Sequence, residues 1–278
     1  MWTEIIEPRR SLFDLRLKEI WHYRDLLTMF VRRDFVASYK QSILGPLWFF
    51  IQPLLTTLTF TVVFGRFAKI PTDGLPPVLF YLAGVTIWSF FSESFTKTAT
   101  VFKDNAGVFG KVYFPRLIMP LSIVVSALVR FSIQFILFLG FVLYFKFSNN
   151  TMVHPNWMIL LIPILLFLMA GIALGSGMII SSLTTKYRDL VFLLSFGVQL
   201  LMYATPVIYP LSSLSPKYQN LVMINPITSI LETFRYAFLG VGSFSWGALA
   251  YSAVFTFVLM LGGTLVFNRV QNNFMDTV

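Results

Sequence analysis

Cysteine is absent from this chain of 278 residues, and histidine occurs only twice. Without thiols there are no disulfides, no thiolate metal sites and no thiol redox chemistry. Charge is scarce as well. Asp, Glu, Lys and Arg make up 12% of the residues, against roughly 25% in an average soluble domain. A soluble globular class is excluded on that ground. Disorder is excluded by the 17% aromatic content, because disordered chains are poor in rings and rich in charge. No phosphate-binding loop occurs either. The nearest run, Gly107-Val108-Phe109-Gly110-Lys111, lacks the G-x-x-x-x-G-K-[ST] spacing that lets backbone amides cradle phosphates. The chain is therefore not expected to hydrolyse ATP, and no G-x-S-x-G nucleophile elbow suggests another hydrolytic role.

What the chain does contain is apolar: 56% of its residues are hydrophobic, and the mean hydropathy is +0.75. This composition places it in a membrane. A helix needs about 20 residues to cross ~30 Å of hydrocarbon. Six spans are predicted, at 43–65, 75–96, 117–145, 157–183, 190–209 and 244–267. Residues 210–240 remain apolar but are broken by Pro210, Pro216 and Pro226 and carry Lys217, Glu232 and Arg235. Proline inside a helix removes a hydrogen bond and clashes with the preceding turn, so two short helices that dip into the membrane and return are expected there. The predicted fold is thus an all-α integral membrane protein: six transmembrane helices, an N-terminal amphipathic interface helix, and an outer re-entrant pair.

Residues 1–42 form an aqueous segment, with eight of the 21 basic and six of the 12 acidic residues, and residues 43–278 form the transmembrane domain. From Ser11 the segment turns helical: Phe13, Leu17, Ile20, Trp21, Leu27 and Val31 recur at helical spacings between Arg and Lys. Such a basic amphipathic helix lies in the headgroup plane, as a plain anchor or as a docking element. With the N-terminus inside, fifteen basic residues fall on the inner side and five on the outer. That bias puts both termini in the cytoplasm. The net charge of +9 is then topogenic, and no nucleic-acid partner is expected. His22 and His154 fall on opposite sides, so they cannot share a metal ion.

Within the apolar runs, the second counted to Ser92, Arg130 is the only charge. It either pairs with a carbonyl or polar side chain at a helix interface or contacts an anionic substrate group. The inner-face acids Glu93, Asp104 and Asp189 read as isolated, solvated or paired. Ion-coupled carriers need an exchangeable ionisable group in the spans, and no intramembrane carboxylate is seen, so the energy source is expected on another chain.

Several motifs recur in an informative order. Tyr39-Lys40-Gln41-Ser42-Ile43-Leu44-Gly45-Pro46-Leu47-Trp48 leads into a first span with Gln52-Pro53. Asn105-Ala106-Gly107 and Phe114-Pro115-Arg116 follow the second span, Tyr187-Arg188-Asp189 the fourth, and Asn225-Pro226 sits in the broken outer segment. Together these resemble the permease subunit of type 2 ABC exporters of bacterial surface polysaccharides (O-antigen, capsule or teichoic acid). The resemblance implies a homodimeric, pore-forming permease of the bacterial inner membrane that binds two copies of a separate ATP-binding subunit and moves lipid-linked polysaccharide outward. ATP and Mg would be held by that partner, with no cofactor on this chain. It also implies a coupling helix at about residues 104–114, carrying Asp104, Asn105, Val108, Phe109, Lys111 and Phe114. The stretch at about 32–42, with Arg32, Arg33, Tyr39 and Lys40, resembles the family's gate helix.

Physical readings stand beside these. Apolar Val108, Phe109 and Val112 between charges can seat a knob in a partner, but the same residues also describe a solvated loop. Arg32, Arg33 and Lys40 suit a lipid pyrophosphate and equally an anionic-lipid anchor. Trp48, Phe49, Arg130 and Tyr203 are the channel candidates, since flat rings offer sugar faces a surface without fixed hydrogen bonds. Two other functions stay open: a type 2 ABC permease for drugs or small lipids, and a membrane-embedded transferase acting on lipid-linked sugars. The transferase would need a carboxylate or histidine cluster at one face.

Overall fold

The computed structural model describes residues 17–40, 42–109, 114–148, 153–187 and 189–274. Among these, every regular element is helical. Two helices precede the membrane domain, α1 (Leu17–His22) and α2 (Arg24–Tyr39). The start of the predicted amphipathic helix, from Ser11 to Arg16, lies outside the described residues. In α2, Phe30 is buried, while Met29 and Trp21 of α1 stay exposed.

The first long helical run extends over Gly45–Phe67. A single 3-10 turn opens it, α3 (Trp48–Phe60) forms its body, and a π-helical stretch, Thr61–Phe67, closes it. Gly45 adopts φ +52°, a left-handed conformation that costs glycine nothing, and Pro46 follows in the first turn, where its missing N–H is harmless. Next come α4 (Pro77–Ala99), the short helices α5 (Val101–Asp104) and α6 (Ala106–Phe109), and α7 (Ile118–Phe147). The run Trp157–Lys186 contains α8 (Ile162–Lys186) behind a 3-10 entry. The chain ends with α9 (Leu190–Ala204), α10 (Pro216–Met223), α11 (Pro226–Leu239) and α12 (Trp246–Phe274).

Five of these helical runs are long and apolar enough to cross a membrane. The expected fifth of six spans, 190–209, is not among them. Its helix, α9, has 15 residues and reaches about 22 Å at 1.5 Å per residue, short of the ~30 Å of hydrocarbon. The cause is local. Thr205 precedes Pro206 and takes φ −105°, ψ 141°, the extended conformation that proline imposes on its predecessor.

The broken region that follows holds two short helices, as the prolines predict. Asn225 caps α11 by accepting from the Ile227 N–H at 3.1 Å, with Pro226 at the first helical position. Its amide donates to Thr205 Oγ1 at 2.8 Å, tying the start of α11 to the end of α9. Gly240, at φ +75°, closes α11 with the left-handed cap that suits glycine.

Helix α4 is the centre of the bundle: 72% of its most apolar stretch is buried, against 11% for the first run. Helices α8 and α12 interlock. A Cβ on Gly175 would stand 2.7 Å from the Leu259 backbone, and one on Gly263 would meet the Gly175 backbone. Small residues of this kind let membrane helices approach backbone to backbone. Two apolar cores result. The larger fills the bundle around α4, α7, α8 and α11. The smaller gathers at the end of the bundle where α4 stops and α7 begins, called here the basic end because Lys97, Lys103, Arg116 and Lys186 lie there.

Candidate functional site

At the basic end, α4 stops at Thr100, and the chain makes two four-residue helices before re-entering the bundle as α7. Apolar pairs at Val101-Phe102 and Val108-Phe109 flank the polar run Lys103-Asp104-Asn105, and side chains sort by depth accordingly. Phe102 and Phe109 turn inward and are buried, as is Phe114 beyond them. Val108 is half-buried, packed against the same core. What faces out is a polar tip at residues 103–107, in which Lys103, Asp104 and Gly107 are exposed. The expected apolar knob therefore needs correcting: Phe109 and Phe114 belong to the molecule's own core. Burying two phenyl rings stabilises by roughly 1.5–3 kcal/mol each, which is why they are not left for a partner. Lys111 and Val112 lie outside the described residues.

The inward rings form a chain. Phe267 of α12 stacks on Phe102 with centroids 4.7 Å apart. Phe102 meets Phe109 at 5.6 Å, Phe109 meets Phe114 at 5.8 Å, and Phe114 meets Phe30 of α2 at 5.7 Å. All fall within the distances at which aromatic pairs attract beyond their buried area. The Arg116 guanidinium sits 5.6 Å from the Phe109 ring centroid, and the Thr184 hydroxyl of α8 donates to the Ala99 carbonyl at 2.6 Å. The tip is thus polar and exposed, but its base is built into α2, α8 and α12.

Arg33 of α2 reaches the tip. Its guanidinium pairs with Asp34 at 2.8 Å, donates to Asn105 Oδ1 at 3.4 Å, and lies 4.9 Å from the Phe30 ring centroid. Thr100 donates to Asp104 at 2.6 Å. Arg33, Asp34, Lys97, Asp104 and Asn105 line an open polar cavity of about 340 Å³, with Ala37 and Ile123 as its apolar wall. Of the expected entry residues, then, Arg33 joins the coupling residues Asp104 and Asn105. Arg32 is exposed, Lys40 is an exposed residue at the C-terminal cap of α2, and Tyr39 ends that helix.

The channel candidates are not brought together. Trp48 is exposed at the start of α3, and beside it Phe49 stacks on Phe35 of α2 at 5.4 Å. Tyr203 is exposed on α9. Arg130, on α7, is buried and forms an ion pair with Glu93 of α4, and Glu93 also holds Lys97 at 2.7 Å. The expectation of no carboxylate within the spans is overturned here. Helix α4 runs on to Ala99, so Glu93 lies within a long apolar helix and neutralises the arginine. The signal was present in the sequence: Glu93 and Lys97 are spaced to share a helix face.

A second buried pair, at the far end, escaped the sequence reading. Arg235 of α11 is 1% exposed. Its guanidinium donates to the Pro206 carbonyl at 2.5 Å and the Val207 carbonyl at 2.6 Å, approaches Glu232 at 3.4 Å, and lies 3.8 Å from the Phe80 ring centroid of α4. Glu232 accepts from the Ser243 N–H at 3.0 Å. The guanidinium thus satisfies the Pro206 and Val207 carbonyls of the non-helical backbone after α9.

Residues 25–239 match the family of ABC-2 type transporters. The chain belongs to that family. Among curated proteins it is similar to the O-antigen export system permease RfbA of Myxococcus xanthus, 27% identical over 94% of this chain and 98% of that one. An RfbA of Klebsiella pneumoniae is also 27% identical, over 91% and 94% of the two chains. The polysialic acid transport protein KpsM of Escherichia coli is 23% identical over 84% and 89%. ABC-2 membership makes this chain a permease subunit of a transporter.

Proposed function

We propose that this chain is the pore-forming permease of an ATP-driven exporter of lipid-linked surface polysaccharide, O-antigen being the cargo its RfbA relatives are named for. Two copies form the conduit, and two copies of a separate ABC ATPase drive it. The basic end faces the cytoplasm of a bacterial inner membrane, a placement supported by the fifteen-to-five distribution of basic residues. Helices α10 and α11 form the outer re-entrant pair, and α1–α2 the interface segment.

One observation carries the coupling role: the polar tip at 103–107 is exposed above the buried rings of Phe102, Phe109 and Phe114. A partner pressing on a solvated loop would only bend it; one pressing on this tip displaces helices. Arg33, at the edge of the adjoining polar cavity, is the entry residue best placed to meet a lipid pyrophosphate, since guanidinium groups grip phosphate bidentately.

Gly107 gives a clean test. Nothing stands within 4 Å of a Cβ built there, so Gly107→Trp leaves the fold intact and obstructs only a docked partner. The expected result is a variant that melts like the wild type but no longer co-purifies with the neighbouring ATPase or exports polymer. Normal co-purification and export would remove the tip from the coupling role.

A further inference from the structure

Helix α2 stands between the tip and the first span, and its two faces do different things. Positions three apart share a helix face, and positions two apart do not. Phe30 and Arg33 share one face, and both turn to the coupling segment: Phe30 to Phe114 at 5.7 Å, Arg33 to Asn105 at 3.4 Å. Phe35, two residues beyond Arg33, turns instead to Phe49, stacked at 5.4 Å with an interplanar angle of 28°. Phe49 is the second residue of α3.

We infer that α2 is a lever: Arg33 takes up displacement of the tip through Asn105, and Phe35 delivers it to the first span through Phe49. This rests on the coupling role proposed above. The first run is the one least held by this chain's own packing, because only 11% of its most apolar stretch is buried, whereas α4, which also leads to the tip, is 72% buried. Packed cores resist gradual deformation, so a push on the tip moves the loosely held helix in preference to the central one. The lever is also stiff where it must be. Arg33 is held to Asp34 at 2.8 Å and lies over Phe30, so its contact with Asn105 is oriented rather than floppy. Arg33 and Phe35 are positioning residues in this scheme. They need not touch the polymer.

The test uses the permease co-expressed with its neighbouring ATPase in membrane vesicles, reading ATPase co-purification, ATP hydrolysis and polymer export separately. Phe35→Ala is expected to keep co-purification and hydrolysis near wild type while export per ATP falls about tenfold, a size usual for residues along a coupling network. Phe35→Tyr, which keeps the ring, is expected to restore export. Export unchanged in Phe35→Ala overturns the lever. So does loss of ATPase binding, since it makes Phe35 an assembly residue. A wild-type complex without ATP-dependent export would instead count against the coupling role itself.

A second arm covers the case in which Phe35→Ala misfolds. The chain has no cysteine, so Phe35→Cys with Phe49→Cys can be bridged selectively by a short bis-methanethiosulfonate reagent. Without the two rings the unbridged variant is expected to export poorly, as Phe35→Ala does, and the bridge is expected to restore export. Export that stays low on bridging overturns the lever. Export that stops on bridging and returns with reductant shows the two helices moving apart, and ends the proposal.

Discussion

Among the buried arginines, Arg235 and Arg130 are compensated in different ways. Arg235 spends its donors on the carbonyls of Pro206 and Val207, where the chain leaves α9 and has no helical partners of its own. Removing the guanidinium orphans those carbonyls and leaves Glu232 buried without its cation. Arg235→Met is therefore expected to destabilise by about 3–5 kcal/mol, the usual cost of breaking a buried pair from one side. Thermal unfolding in detergent would show this as a clear drop in melting temperature. Arg130 pairs with the Glu93 carboxylate of a neighbouring helix, which gives a different signature. Arg130→Met and Glu93→Gln should each destabilise, and the double variant should recover part of the loss, with a coupling of about 0.5–3 kcal/mol as for other contacting residues. Melting the four proteins of that cycle checks it. Arg130 was visible in the sequence as a lone charge in an apolar run. Its partner was not, because an apolar stretch counted to Ser92 stops one residue before Glu93. Arg235 was visible only as a charge in a broken, proline-rich segment, counted on the outer side; only the folded chain shows that it takes up the Pro206 and Val207 carbonyls.

Elements were legible where periodicity and length agree. The runs beginning at Gly45, Pro77, Ile118, Trp157 and Trp246 match the predicted spans to within a few residues, and the prolines of the 210–240 region do mark two short helices. In the 190–209 segment the helix is shorter than expected because hydropathy does not register Pro206, whose constraint on Thr205 ends α9 at 15 residues. Helix pairing was hidden for a different reason. Gly171, Gly175 and Gly263 signal close approach only when two helices are seen together. Gly263→Leu would drive a side chain into the Gly175 backbone. It is expected to cost about 1–3 kcal/mol, as overpacking does, and to lower the melting temperature in detergent. The coupling segment shows the same limit. Which of its residues face outward depends on the aromatic chain from Phe267 to Phe30, whose members lie far apart in the chain.

For the whole molecule, composition alone decided the environment, and the order of motifs anticipated the ABC-2 family before any relative was compared. Cargo and assembly are not written in the bundle of one chain. The first run and α9 each expose large apolar side chains, Leu55 and Leu58 on one and Phe192 and Leu193 on the other. The account treats the chain as a conduit driven from outside through the tip at 103–107. The most direct test is to reconstitute the purified permease into liposomes with and without the neighbouring ATPase, and to follow ATP hydrolysis and the transfer of lipid-linked polymer together. The account predicts no hydrolysis and no transfer by the permease alone, and ATP-dependent transfer once the ATPase is added. Nucleotide turnover by the permease alone, or transfer driven by a proton gradient without the ATPase, would contradict it.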